Sequence, residues 1–179
     1  MDFVDLILSR HCYRGRYTQT PVPREDLRAI VEAGLSAPSG CNKQTTTLIA
    51  VDDPAMLAEL YGAIGRPVEG TAPAMICVVT QKIMAYGTRT FYIQDYSAAI
   101  ENLLLAIVGK GYQSCWYEGD ITGEDSEKGQ RMAEILGLPA GCFVVCYLPV
   151  GVAEEEVKAR AKKPFEERAW LNGYLQPWD

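Results

Sequence analysis

The segment 89–111 constrains the fold more than any other part of this chain. Its apolar side chains recur with helical spacing and fall on more than one face of the helix. They are Ala98, Ala99, Leu103, Leu104, Leu105, Ile107 and Val108. A helix that is apolar on several faces is covered from several sides, so the pattern predicts a central, buried helix ended by Gly109 and Gly111.

The remaining segments predict helices and strands in irregular alternation around this helix. The predicted strands are residues 45–51, 74–80, 112–117 and 142–150, which are β-branched or apolar runs. A first helix ends near Arg10, and acidic residues after Pro23 begin a second helix that ends before Pro38. Two more helices are predicted, a short one from Asp53-Pro54 and one over residues 124–136, and residues 62–71 form a loop.

Length and charge limit the possible functions. A chain of 179 residues fits one domain spanning residues 1–179. The formal net charge of -6 repels nucleic acid and anionic membrane, so neither is expected as a partner. Basic residues therefore matter only where they cluster.

The cysteines and the first residues indicate a cytoplasmic protein. None of the six cysteines forms a C-x-x-C pair, and several lie in apolar runs, so a zinc or iron-sulfur site is not expected. The chain start lacks the basic flank and long apolar stretch of a signal peptide. Free thiols in a reducing compartment are the expected state.

Two short blocks carry the candidate chemistry. The first, residues 10–14 (RHCYR), places Arg10 and Arg14 four residues apart after the first helix, and two guanidinium groups can grip a phosphate dianion. The second, residues 38–44 (PSGCNKQ), follows the second helix and offers Ser39 and Asn42 to a polar heterocycle. Together the blocks predict a site for a phosphorylated cofactor.

The ordered set of motifs resembles the FMN-dependent nitroreductase family over nearly the entire chain. The two blocks are followed by NLLLA at 102–106 in the long helix, then by CWYEG at 115–119. Gly151 and a basic run at 160–163 before Pro164 complete the set. The resemblance implies an α+β, three-layer fold in which helices flank a central, mostly antiparallel sheet and a C-terminal tail reaches the partner subunit.

The resemblance also implies which residues bind FMN in a homodimer with the cofactor at the subunit interface. In the family, the first block holds the phosphate and ribityl chain, the second approaches the flavin ring from the partner subunit, and a Glu-Gly pair places a backbone N–H near flavin N5. A late basic pair forms a second phosphate clamp, for which Lys163 is a substitute. The corresponding residues here are Arg10, His11, Cys12, Arg14, Pro38, Ser39, Gly40, Asn42, Glu118, Gly119, Arg160 and Lys162.

The implied activity is hydride transfer from NADH or NADPH, through FMN, to a small oxidised acceptor such as a nitroaromatic or a quinone, in ping-pong fashion. No catalytic side chain is required, because the flavin carries the chemistry. Two features depart from the family pattern: Cys12 replaces a Ser or Thr, and Gln44-Thr45-Thr46 stands where Gln-Pro-Trp is common. The chain is also short for the family, which implies an open, permissive site.

Other interpretations remain open from the sequence. Each motif alone is also typical of an ordinary helix end, turn or charged surface. A flavin-dependent dehydrogenase or dehalogenase on the same scaffold, and a non-catalytic flavin carrier or sensor, would share the motifs. An interaction domain using Trp170, Tyr174 and Trp178 would bind no flavin at all.

Overall fold

A computed structural model describes residues 2–65, 71–119, 121–123 and 125–178. The helices are α1 (Phe3–Ser9), α2 (Arg24–Leu35), α3 (Pro54–Ile64), α4 (Tyr92–Gly109) and α5 (Glu127–Ile135). The strands are β1 (Thr46–Val51), β2 (Ala74–Gln81), β3 (Met84–Tyr86), β4 (Arg89–Thr90) and β5 (Cys142–Val150), and 3-10 turns occupy Gly40–Asn42 and Phe165–Glu167.

The central sheet is antiparallel and is covered by helices on both faces. Its strand order is β1-β2-β5, and β2 is buried along almost its whole length. Side chains of α3 and α5 join the hydrophobic cluster on one face, and those of α2 and α4 join the cluster on the other. The three-layer α+β fold expected from the sequence is confirmed.

Helix α4 is the buried central helix that the sequence predicts. Ile100, Leu103 and Ile107 are each 0% exposed. Burying one such side chain contributes about 1.5–3 kcal/mol to stability. The side-chain amide of Asn102 donates to the carbonyl of Ala33 at 3.1 Å, which ties α4 to α2. Helix α4 thus fixes the position of the segment that follows α2.

The strand predicted over residues 112–117 is wrong as a continuous strand. The segment meets β5 and its extension at two isolated bridges, Gln113 with Gly151 and Tyr117 with Tyr147. The same register places residue 115 opposite residue 149, which is a proline in β5. Proline has no N–H to donate, so the ladder is interrupted between the two bridges.

Three other boundaries differ from the prediction. The central helix predicted over 89–111 begins at Tyr92, because Arg89–Thr90 pair with β3 as strand β4. Helix α3 continues to Ile64 and is capped by Gly65 in a left-handed conformation, so the predicted loop over 62–71 starts too early, and its residues 66–70 lie outside the described residues. Helix α5 begins at Glu127 because the Ser126 hydroxyl accepts the Gly129 N–H. The predicted start at residue 124 lies outside the described residues. The short β3–β4 hairpin was not predicted.

Residues 12–18 lie along the edge of the sheet, between two other parts of the chain. Cys12 forms a parallel bridge with Ser114, and Tyr17 forms an antiparallel bridge with Ala153. The segment that follows α1 is therefore held against residues 113–117, which brings the first basic block to the CWYEG motif.

The exposed apolar side chains of the described residues concentrate on α1 and on the C-terminal tail. On α1, Phe3 and Leu8 are each 69% exposed. In the tail, Trp170 packs on Tyr174 and Phe165 packs on Trp178, so these aromatics contact one another. All six cysteines are free, and no helix among the described residues has the length and apolar character needed to cross a membrane.

Replacing Gly151 with alanine is expected to lower the free energy of unfolding by about 1–3 kcal/mol through overpacking. The added Cβ would lie 2.7 Å from Cδ of the rigid Pro73 ring and 3.1 Å from Cδ1 of Tyr17. Urea unfolding measures the change. Gly62→Ala is the control, because a Cβ there meets nothing within 4 Å and alanine favours a helix interior by about 1 kcal/mol. Equal stability of Gly151→Ala and wild type would contradict the packing described for this edge.

Asp26→Asn is expected to reduce the pH dependence of stability. The Asp26 carboxylate lies 2.9 Å from Lys110 Nζ and accepts a 2.7 Å hydrogen bond from the Tyr112 hydroxyl, and these contacts lower the pKa of Asp26 below its usual value. Because its folded-state pKa is lowered, the carboxylate contributes stability at pH values above the pKa that it has in the unfolded chain. This contribution is lost as the pH falls through the folded-state pKa. The variant should therefore be less stable than wild type near neutral pH and equal to it in strong acid, as measured by urea unfolding across pH. If the stability difference between Asp26→Asn and wild type persisted unchanged in strong acid, it would contradict a lowered folded-state pKa of Asp26.

Candidate functional site

Arg14 and the CWYEG motif line one cavity. The cavity has a volume of about 210 Å³ and is lined by Arg14, Trp116, Tyr117, Glu118, Gly119, Ile121 and Tyr147. The Arg14 guanidinium carbon lies 5.8 Å from the centre of the Tyr117 ring, a cation–π distance. Two of the predicted groups, the first basic block and the Glu118-Gly119 pair, therefore meet in the structure.

Gly119 presents bare main chain to this cavity. Its φ is 45°, in the left-handed region that glycine adopts without steric cost, and the residue is exposed. Glu118 beside it is half-buried. A planar ligand could approach the backbone here closely, as the predicted role near flavin N5 requires.

A cluster of tyrosines forms the floor under Arg14. The rings of Tyr117 and Tyr147 stack with centroids 5.1 Å apart, and Tyr13 packs edge-on against Tyr17. Burial, and then the neighbouring Tyr117, raises the pKa of Tyr17 far above its usual value, so its hydroxyl stays neutral. The tyrosines supply packing for the arginine-bearing segment. The sequence analysis missed them because they come from distant segments.

Arg10 has a different contact from Arg14. Its Nε lies 3.5 Å from Oε1 of Glu101 on α4, and its side chain is 19% exposed. Glu101 is half exposed, so solvent screens this ion pair and its contribution to stability is small. His11 and Cys12, which complete the predicted phosphate group, are both half-buried at the start of the edge segment.

The second predicted block forms a tight polar loop after α2, residues 39–44. The Ser39 hydroxyl accepts the Gln44 N–H at 3.0 Å, and the Ser39 carbonyl accepts the Asn42 N–H at 3.0 Å. Three non-glycine residues, Cys41, Asn42 and Gln44, have φ between 48° and 53°. Each left-handed residue costs roughly 1–2 kcal/mol, less for asparagine, so other contacts must hold the loop in place.

Asp95 supplies those contacts, and the sequence analysis missed it. Asp95 lies in the first turn of α4 and is 4% exposed. One carboxylate oxygen accepts the Gly40 N–H and the other accepts the Thr45 hydroxyl, both at 2.7 Å. A buried charge requires hydrogen-bonding partners, but the sequence of the helix does not show which of its two carboxylates is buried or which residues are its partners.

The two blocks lie at different places along α4. The loop contacts its first turn through Asp95, whereas Arg10 contacts Glu101 nearly two turns later. Pro38 and Ser39 line a cavity of about 190 Å³ beside Asp95. Among the described residues, none of the loop lines the cavity that contains Arg14.

The late basic residues Arg160, Lys162 and Lys163 are exposed in a stretch without helix or strand. This stretch follows the antiparallel bridge between Tyr17 and Ala153, where the tail leaves the sheet edge. Their assignment to a second phosphate clamp stays a prediction. No cluster of side chains among the described residues is arranged to hold a metal ion.

Comparison with known proteins agrees with these features. A family model described as the nitroreductase family matches residues 7–70, which include both blocks. An Archaeoglobus fulgidus protein with the provisional name NADH dehydrogenase/NAD(P)H nitroreductase is 31% identical over 142 residues, covering 78% of this chain and 79% of that protein. The chain belongs to the nitroreductase family.

Two further comparisons extend over most of the chain. A Bacillus subtilis protein named FMN reductase [NAD(P)H] is 27% identical over 188 residues, covering 94% of this chain and 73% of that protein. The structure of an FMN-dependent nitroreductase from Clostridium difficile R20291 has a TM-score of 0.79 and 25% identity, covering 96% of this chain and 100% of that chain. The fold and the family predicted from the ordered motifs are both confirmed.

Gly40→Ala is expected to disrupt the 39–44 loop. The new Cβ would lie 2.5 Å from Cβ of Phe91, which immediately precedes α4. A clash with a side-chain Cβ is not relieved by rotation, so stability should fall by about 1–3 kcal/mol. Thermal unfolding measures the loss.

Cys41→Gly serves as the opposing variant. Glycine adopts the φ of 50° found at Cys41 without steric cost, which offsets its larger loss of backbone freedom on folding. This variant should therefore remain near wild-type stability. If Gly40→Ala were as stable as Cys41→Gly, the close packing of the loop on Phe91 would be refuted.

Proposed function

We propose that this nitroreductase-family chain is an FMN-dependent oxidoreductase that transfers hydride from NADH or NADPH to a small oxidised acceptor, such as a nitroaromatic or a quinone. The proposal rests on one observation above all: Arg14 of the first block and the Glu118-Gly119 pair line one cavity. Family membership and the names of the FMN-dependent relatives support it.

The residues at this cavity fit the chemistry of a flavin phosphate. Arg14 lines the cavity and is exposed. Arg10, four residues earlier in the same block, lies outside the cavity lining and is paired with Glu101 at 3.5 Å. A guanidinium binds phosphate oxygens with charge-assisted, bidentate hydrogen bonds. The bare main chain of Gly119 suits the face or edge of a planar ring.

The chemistry that FMN would supply when bound is hydride transfer between a reduced nicotinamide and the acceptor. The chain's own share is binding and orientation. Arg10 and Arg14 would hold the phosphate, and the backbone near Gly119 would lie against the ring. Ser39 and Asn42 would donate to and accept from the polar edge of the ring. No side-chain acid or base is needed for this role.

A homodimer with FMN at the interface accounts for two features of the single chain. The cavity of about 210 Å³ is smaller than the roughly 300 Å³ typical of cofactor pockets, so it is incomplete by itself. The exposed Phe3 and Leu8 on α1 also need a covering surface. A partner subunit that supplies its 39–44 loop would complete the pocket and cover apolar surface.

The proposed function is tested by the visible spectrum and by rapid reduction of the FMN-loaded protein with NADH and with NADPH separately. Flavin absorbance that one nicotinamide bleaches and an added quinone restores is the expected result. Bound flavin that no reduced nicotinamide bleaches would instead indicate a carrier or sensor. A colourless protein that takes up no added FMN would overturn the proposal.

Arg10→Ala/Arg14→Ala is expected to weaken FMN binding on the order of a hundredfold or more, because each charge-assisted bond contributes about 1.5–3 kcal/mol. Fluorescence titration of apoprotein with FMN measures the dissociation constant. Arg28→Ala is the matched control, since Arg28 is an exposed arginine on α2 whose ion pair is with Glu32. An unchanged dissociation constant in the double variant would refute the phosphate assignment.

A further inference from the structure

We propose that Asp95 is a positioning residue that sets the conformation of the 39–44 loop for flavin binding, and this inference rests on the proposed function. Asp95 is 4% exposed and each of its carboxylate oxygens already accepts a hydrogen bond, from the Gly40 N–H and from the Thr45 hydroxyl, so it acts through the loop and not through contact with the ring. Three features of Asp95 support this role: its burial, its two hydrogen bonds and the strained backbone that these bonds hold.

The first element is the burial of a carboxylate that has no cation beside it among the described contacts. Asp95 is 4% exposed, and both of its described partners are neutral donors, the Gly40 N–H and the Thr45 hydroxyl. A buried carboxylate is costly unless its oxygens accept hydrogen bonds. Asp95 lies in the first turn of α4, where the helix dipole favours a negative charge. The buried Asp95 carboxylate therefore needs the two donors at the loop, and the strained loop in turn needs the two hydrogen bonds that Asp95 accepts.

The second element is the position of the two donors. Gly40 N–H belongs to the first half of the loop, and Thr45 follows its last residue. One carboxylate therefore spans the loop at both ends, and the turn between them contains the left-handed residues Cys41, Asn42 and Gln44. A strained turn persists only where surrounding contacts determine it. The Asp95 carboxylate joins the two ends of this turn from α4, in addition to the hydrogen bond from the Gln44 N–H to the Ser39 hydroxyl within the loop.

The third element connects this clamp to the rigid core. The carbonyl of Thr45 accepts a hydrogen bond from the Thr80 hydroxyl at 3.2 Å, and Thr80 lies in the buried strand β2. Gly40 packs directly on Phe91 at the start of α4. Together these contacts fix the loop relative to both α4 and the sheet. They thereby set the positions of Ser39 and Asn42. These are the two side chains proposed to bind the polar edge of the flavin ring.

The test compares Asp95→Asn and Thr45→Val with Asp26→Asn, using FMN titration and the visible spectrum of the bound flavin. Asp95→Asn retains one acceptor oxygen and loses the other, and Thr45→Val keeps the shape of threonine but loses its hydroxyl. Both variants are expected to raise the FMN dissociation constant at least tenfold and to shift the flavin absorbance, which reports hydrogen bonds at the ring. The control Asp26→Asn removes a carboxylate that ties α2 to Lys110 and Tyr112, away from the loop, and should alter stability without altering either readout.

Amide hydrogen exchange at Gly40 provides a readout that requires no cofactor. Faster exchange at this amide in Asp95→Asn and in Thr45→Val, together with weakened FMN binding, would support the inference. Because Thr45→Val is the milder change, it keeps the test decisive even if Asp95→Asn fails to fold. FMN affinity, flavin spectrum and Gly40 exchange that match wild type in the folded variants would overturn the role of Asp95 alone. Wild-type protein that binds no FMN would overturn the proposed function and this inference with it, so the two failures are distinguishable.

Discussion

The packing of α4 between α2 and the sheet is the constraint on which the rest of this structure depends. The buried face of α4 is apolar, but three of its polar residues each bind a different part of the chain. Asn102 binds the end of α2, Asp95 binds the 39–44 loop, and Glu101 binds Arg10 of the first basic block. One rigid helix thereby sets the positions of both blocks, which contact it at points nearly two helical turns apart.

This arrangement explains why the sequence predicted the architecture well. The strands at 74–80 and 142–150 and the helix at 89–111 are long apolar patterns whose period is set by burial, and the structure reproduces them closely. The segment at 112–117 is the instructive exception. Its composition suits a strand, but the residue opposite its centre is Pro149, and a cross-strand partner cannot be read from local sequence.

The candidate site likewise contains some residues that the sequence indicates and others that it does not. The two arginines and the 38–44 block carry local signals in their spacing, whereas Gly119 was assigned from the resemblance to the nitroreductase family. Asp95, Glu101 and the stacked pair of Tyr117 and Tyr147 could not be found from the sequence, because their roles come from contacts between segments distant in the chain. Arg14 lies over Tyr117, whereas Arg10 is paired with Glu101. This difference between the two arginines also arises from tertiary packing.

The central claim is that the first block of one subunit and the 39–44 loop of its partner build one FMN site. Mixed dimers test it most directly: one chain carries Arg10→Ala/Arg14→Ala, the other carries Ser39→Ala/Asn42→Ala, and bound FMN is counted after random reassociation. In a twofold dimer built across the interface, each mixed dimer regains one intact site, so about a quarter of all sites should bind FMN with wild-type affinity. No recovery above the level of the two separate variants would contradict the account.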